Sequence, residues 1–174
     1  FRLSANQNVL LAHASDADKV ALTVLLHAAG VKTENQATVL HAASMACPSL
    51  PTCGLGLAES ERYLPGLIDR LEMVCADLGL GGEEIVIRST GCPNGCARPY
   101  VAELAFVGKA PGRYQVWLGG NAAGTRLNRL WKDVVKDPDM ETELRPVLAR
   151  FAKERLPNER FGDWCDRVLL ATLN

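Results

Sequence analysis

No apolar run in these 174 residues approaches the roughly 20 residues that a helix needs to cross a bilayer, which removes the case for a membrane-spanning helix. Charge of either sign is not in excess. The 19 Lys and Arg stand against 20 Asp and Glu, a formal net charge of −1, so neither a nucleic acid nor an anionic membrane surface has an electrostatic partner here. There is no internal repeat and no low-complexity tract. The first residues do not read as a positively charged segment followed by an apolar one. The chain opens at Phe1, without an initiator methionine and inside what reads as a strand, which leads us to expect a piece of a longer protein.

What is present is a composition able to build an ordinary core, 48% hydrophobic over 174 residues, and six cysteines. Four of these form two close pairs in turn-forming sequence: Cys47 with Cys53 in Ala46-Cys47-Pro48-Ser49-Leu50-Pro51-Thr52-Cys53-Gly54, and Cys92 with Cys96 in Gly91-Cys92-Pro93-Asn94-Gly95-Cys96. Four thiolates converging from two Pro/Gly-rich loops suit a [4Fe-4S] cluster, because glycine lets the backbone approach the inorganic sulfides and proline holds a loop open. A structural zinc is the first alternative. The second pair fits a zinc knuckle, while the five residues between Cys47 and Cys53 are loose for one. Disulfides would suit a small secreted domain better than a chain with this core content. Four unrelated buried thiols remain conceivable, although flanking Pro and Gly make poor core sequence.

The remaining punctuation predicts interleaved helices and strands, an α/β or α+β class. Residues 3–14 read as a buried strand. Residues 16–29 read as a helix capped by Ser15 or Asp16 and stopped by Gly30, with an apolar face at Val20, Leu22, Val24 and Leu25. Residues 31–43 are undecided. Residues 57–80 read as helical, with Pro65 starting a second helix or kinking the first, and Leu67, Ile68, Leu71, Val74, Cys75 and Leu78 recur at helical spacing. Residues 84–88 are a short strand leading into the second cysteine loop, and 101–107 with 114–118 read as a hairpin. Two or three helices are expected to finish the chain, at about 127–135, 140–155 and 161–170. His13, His27 and His41 show no ligand spacing, Cys75 and Cys165 read as buried, and Trp117, Trp131 and Trp164 as core anchors.

The cysteine loops sit in longer segments that carry a resemblance. Thr90-Gly91-Cys92-Pro93-Asn94-Gly95-Cys96-Ala97-Arg98-Pro99-Tyr100 and Leu118-Gly119-Gly120-Asn121 resemble the C-terminal half of the assimilatory sulfite reductase haemoprotein. Phe1-Arg2-Leu3-Ser4-Ala5-Asn6-Gln7-Asn8, Ser44-Met45-Ala46-Cys47, Ala58-Glu59-Ser60-Glu61-Arg62-Tyr63-Leu64-Pro65, Ala152-Lys153-Glu154-Arg155 and Phe161-Gly162-Asp163 resemble further segments of that family in the same order. The likeness runs from residue 1 to about 168. The Asn94-Gly95 step and the Ala97-Arg98-Pro99-Tyr100 run favour sulfite reductase over its relative nitrite reductase within the sirohaem superfamily.

The resemblance implies the C-terminal sirohaem/[4Fe-4S] domain of the sulfite/nitrite reductase fold, with residues 1–34 closing a ferredoxin-like lobe and 35–174 forming the cofactor-bearing α/β domain. It implies Cys47, Cys53, Cys92 and Cys96 as cluster ligands, and Cys96 as the catalytic thiolate shared with sirohaem iron. Sirohaem carries many carboxylates. Arg98, Arg126, Asn94, Asn6, Gln7 and Asn8 are therefore its expected contacts. Arg62 is expected to brace the cluster loop. The implied activity is the six-electron reduction of sulfite to sulfide in sulfate assimilation and cysteine biosynthesis, with an NADPH-dependent flavoprotein or ferredoxin as electron donor. The sulfite-binding Arg and Lys cluster is expected upstream of Phe1. The expected location is the cytoplasm, or a plastid if ferredoxin is the donor. Reduction of nitrite to ammonia, a non-haem iron-sulfur electron-transfer domain and a zinc-binding interaction module are the alternatives.

Overall fold

The structure, a computed structural model, describes residues 1–4, 8–31 and 37–171. The chain divides into two compact units, Phe1–Ala37 and Thr38–Asn174.

In the first unit, β1 (Arg2–Leu3) pairs antiparallel with β2 (Val9–Leu10), Arg2 facing Leu10. The hairpin closes with the Ser4 amide donating to the Asn8 carbonyl at 2.9 Å. Helix α1 (Asp16–Ala28) begins at a capping box. The Ser15 hydroxyl accepts from the Asp18 amide at 3.2 Å, and the Asp18 carboxylate accepts from the Ser15 amide at 2.9 Å. It ends in a Schellman turn, with Val31 donating to the Leu26 carbonyl at 2.8 Å and Gly30 at φ 75°. Start and stop fall where the sequence puts them. Two expectations are corrected: the buried strand over 3–14 is two short exposed strands, and the apolar face of α1 is exposed at Val20, Val24 and Leu25, with no buried residue in the helix.

The second unit is built on a five-stranded sheet in the order β3 (Ser44–Ala46), β4 (Ile87–Thr90), β5 (Leu104–Ala110), β6 (Arg113–Leu118), β7 (Arg129–Lys136). The first three strands run parallel, Ser44 opposite Ile87 and Ile87 opposite Leu104. The last three run antiparallel. Parallel neighbours need a crossover, and α3 (Leu64–Asp77) supplies it between β3 and β4. Pro65 sits in its first turn, where a missing N–H costs nothing. The short helix α2 (Val39–Ala42), capped by Thr38, occupies the stretch left undecided.

Leu67, Ile68, Leu71 and Val74 of α3 are buried with Leu104, Phe106, Val116 and Leu118 of the sheet and with Leu144, Leu148 and Phe151 of α4 (Met140–Glu154). Phe161 and Trp164 of α5 (Phe161–Trp164) complete this core. Cys75 and Cys165 are buried as expected, and burial pushes the Cys75 thiol up to about 11. Trp164 is fully buried, whereas Trp131 only packs on the core margin.

One buried charge fixes the end of the chain to the sheet. Glu103 has no exposed side-chain surface; its carboxylate accepts from Arg160 at 2.7 Å, from the Gly162 amide at 3.1 Å and from the Val86 amide at 2.9 Å. A buried carboxylate with this many donors is tolerated, and removing a partner is costly. The helix expected at 127–135 is strand β7. The helix expected over 161–170 is α5 followed by a π-type turn, Cys165–Leu169.

Candidate metal centre

The sheet topology decides where the cysteines lie. Strands β3 and β4 are adjacent and parallel, so their carboxyl ends share one edge, and each cysteine loop leaves from one of them. Cys47 follows Ala46 directly and continues the ladder, its amide donating to the Ser89 carbonyl at 3.2 Å. Cys92 lies two residues past Thr90. Ligands in open α/β sheets gather outside such carboxyl ends.

Gly91 joins the two loops. Its amide donates to Cys47 Sγ at 3.3 Å, and its carbonyl accepts from Leu57 at 2.8 Å and Ala58 at 3.0 Å. A Cβ there would lie 1.5 Å from Ser49 Oγ and 2.6 Å from the Ala58 carbonyl, so only glycine fits. Thr90 Oγ1 also donates to Cys47 Sγ, at 3.5 Å. Donors aimed at a thiolate sulfur are how proteins tune a bound metal or cluster.

Within the first loop, buried Ser49 takes φ 49° and donates through Oγ to the Ala58 carbonyl at 2.6 Å, while the Cys53 amide donates to the Ser49 carbonyl at 2.7 Å. In the second, Gly95 at φ 70° lets the chain turn between the cysteines, with Arg98 N donating back to the Gly95 carbonyl at 2.8 Å. Tyr100 holds the tip through its hydroxyl, which donates to the Pro93 carbonyl at 3.0 Å. Buried Asn128 donates to the carbonyls of Pro99 at 2.7 Å and Ala102 at 3.0 Å, fixing the single 3₁₀ turn Pro99–Val101 that follows. The thiols are graded in exposure. Cys47 and Cys92 are 9% and 8% exposed, Cys53 is intermediate and Cys96 is exposed.

Two cations accompany the loops. Arg88, on β4, donates to the Ala97 carbonyl at 3.1 Å and lies 3.8 Å from Met45 Sδ, where Arg98 also arrives at 4.0 Å. Arg88 Nε is buried without a hydrogen-bond partner, and no carboxylate among the described residues lies within ion-pair distance of this guanidinium. Desolvation first, and then the charge of Arg98, hold Arg88 below the usual arginine range. A partly buried cation beside another cation calls for an anion. Arg88 was missed in the sequence, where the one visible signal is a lone charge in the apolar run Ile85-Val86-Ile87-Arg88.

The other expected contacts are distributed differently. Asn94 is exposed at the tip of the second loop. Arg126 is committed to the Gly119 carbonyl at 2.7 Å and to Asp163 at 2.6 Å, tying the loop after β6 to α5. Arg62 is exposed and pairs with Glu59 at 3.4 Å. Asn8 belongs to the exposed hairpin of the first unit, and Asn6 and Gln7 lie outside the described residues.

The geometry is that of an α/β domain with two cysteine pairs on loops that leave adjacent parallel strands. The comparisons with known proteins agree. No protein-family model matches the chain. It is 48% identical over 168 residues to the sulfite reductase [NADPH] haemoprotein beta-component of Nitrosomonas europaea, covering 97% of this chain and 29% of that protein. It is 51% identical over 166 residues to the sulfite reductase [ferredoxin] of Synechococcus elongatus, covering 95% of this chain and 27% of that protein. In structure it is similar to the NirA protein of Mycobacterium tuberculosis, with a TM-score of 0.73 at 25% identity over 96% of this chain and 32% of that one. The resemblance read from the residues is thereby borne out, and the fold matches the sulfite/nitrite reductase fold. The chain spans less than a third of the length of these relatives.

Proposed function

We propose that this chain is the part of a sulfite reductase that holds a [4Fe-4S] cluster through Cys47, Cys53, Cys92 and Cys96 and presents Cys96 to the iron of sirohaem. The observation that carries the reading is the placement of both cysteine pairs on loops leaving adjacent parallel strands and joined at Gly91. The residues fit the cofactors. Two loops rich in Pro and Gly, each carrying two thiols, leave the same edge of the sheet, and the buried Arg88 Nε lacks the partner that a carboxylate-rich macrocycle offers.

When bound, the coupled cofactors supply electrons to sulfite one at a time until sulfide is formed. The chain's own residues hold and insulate them. Cys47 and Cys92, nearly excluded from water, anchor the cluster from the strand ends, with Gly91 and Thr90 donating to Cys47 Sγ. Cys96, the exposed thiol, is the one free to meet a second metal. Arg88 and Arg98 face the negative charge that sirohaem brings, and Asn94 lies at the tip of the same loop. Arg126 contributes indirectly, by holding the loop after β6 against α5. The electron donor is a flavoprotein using NADPH or ferredoxin, and a cytoplasmic location fits both.

The test is cofactor content in the full-length protein, purified anaerobically. Cys47→Ser should lose cluster iron and inorganic sulfide together. Cys96→Ser should abolish the magnetic coupling between haem and cluster, and Arg88→Gln should lower sirohaem retention with the cluster intact. A Cys96→Ser protein that keeps both cofactors coupled would overturn the bridging role.

A further inference from the structure

Away from the cysteine loops, three potential ligands converge where α2 packs against α3. His41 on α2 faces Asp69 and Glu72, which are three residues apart on α3 and so share a helical face. His41 Nε2 lies 3.5 Å from Asp69 Oδ1, and Nδ1 lies 3.6 Å from Glu72 Oε1. One ligand atom from each residue falls within 4.8 Å of the other two.

The hydroxyl of Thr38 fixes how this group is oriented. A hydroxyl has one proton to give, and Thr38 Oγ1 donates it to the Glu72 carboxylate. The same oxygen accepts from the His41 amide at 3.3 Å, as the N-cap of α2. It also lies 2.9 Å from His41 Nδ1, which positions the ring. Nε2 is thereby directed toward an aspartate oxygen. Two carboxylates beside one ring call for positive charge, which a bound cation can supply. Among the described residues no Lys or Arg lies within ion-pair distance of Asp69 or Glu72. A hydrogen bond from the other ring nitrogen is also the usual way a metal-ligating histidine is oriented.

We propose that His41, Asp69 and Glu72 form a binding site for a divalent transition-metal ion of the zinc class, oriented by Thr38. One nitrogen and two carboxylate oxygens suit zinc or cobalt better than magnesium or calcium, and water completes the coordination. The spacing agrees, since two ligands each about 2.1 Å from a tetrahedral zinc lie about 3.4 Å apart. An ion there would cross-link α2 to α3 just before β3, the strand that ends at Cys47. The three histidines show no ligand spacing in the sequence, because the two carboxylates are supplied by an element 28 and 31 residues further on.

The test is an anaerobic cobalt(II) titration of the 174-residue chain, read by visible absorption and by metal content after gel filtration. Cobalt on the cysteines gives a thiolate charge-transfer band, whereas cobalt on the nitrogen and carboxylates gives d–d absorption alone, so the two sites are distinguished. The expected result is one equivalent bound without a thiolate band, weakened at least tenfold by His41→Gln and by Asp69→Asn. Asp69 is 69% exposed, so its variant retains the fold. Zinc should also raise the melting temperature of the wild type by more than that of the variants, by mass action. Cobalt bound only with the thiolate band, or bound equally by wild type and both variants, would overturn the site and leave His41 a simple ion-pair partner.

Discussion

Replacing Gly91 with alanine tests whether the two cysteine loops are joined as described. The added Cβ would stand 1.5 Å from Ser49 Oγ, 2.5 Å from Ser49 Cβ and 2.6 Å from the Ala58 carbonyl. Ser49 is 2% exposed, so its hydroxyl cannot swing to water; moving it strands a donor now held by the Ala58 carbonyl at 2.6 Å. Overpacking of this kind costs about 1–3 kcal/mol. The stranded donor and carbonyl add about 1–3 kcal/mol more. Together they predict a loss of about 2–6 kcal/mol. Gly54, one residue beyond Cys53, is the control: nothing lies within 4 Å of a Cβ there, and its φ is unstrained. Gly54→Ala should change stability by less than about 0.5 kcal/mol. Urea denaturation of the chain, followed by circular dichroism, should show a lower midpoint for Gly91→Ala at unchanged slope. A Gly91→Ala chain within about 1 kcal/mol of wild type, well short of that overpacking cost, would refute the packing argument.

Glu103→Ala should destabilise the second unit by about 3 kcal/mol, the lower end for a broken buried pair because Arg160 is partly exposed; a melting temperature shifted by no more than Gly54→Ala would contradict it. The Cys75 thiol, raised by burial to about 11, should resist iodoacetamide at pH 8 in the folded chain while exposed Cys96 is alkylated, as peptide mass mapping would show. Because the unfolded thiol ionises first, near pH 8.5–9, the stability linked to Cys75 is complete below that value. It is lost as pH rises toward 11, which Cys75→Ala should abolish in a denaturation series. Loss of Thr38 to valine should weaken cobalt at His41 by releasing the ring from its fixed orientation, with equal binding as the contrary result.

How far the sequence can be read follows from how local each signal is. Ser15, Asp18 and Gly30 mark both ends of α1 because capping is decided within a few residues, yet its apolar residues are exposed in the described chain, which local pattern does not foretell. Residues 127–135 carry Leu127, Leu130 and Val134 at helical spacing. They form β7 instead, because β6 offers a partner and the bulges between Tyr114 and Trp117 break the alternation that marks a strand. The cysteine loops are legible because the ligands and their turns are contiguous. Arg88 is not, since its meaning comes from Met45 and Ala97 brought to it by the sheet.

Iron and acid-labile sulfide per chain, measured after anaerobic reconstitution of wild type and of the four single Cys→Ser variants at positions 47, 53, 92 and 96, address the central claim most directly. The account predicts about four irons and four sulfides in the wild type and a marked fall in each variant. Cys75→Ser and Cys165→Ser should retain the full complement. A wild-type chain that binds zinc on these four cysteines and takes up no sulfide, or a Cys47→Ser chain that keeps a full cluster, would contradict it.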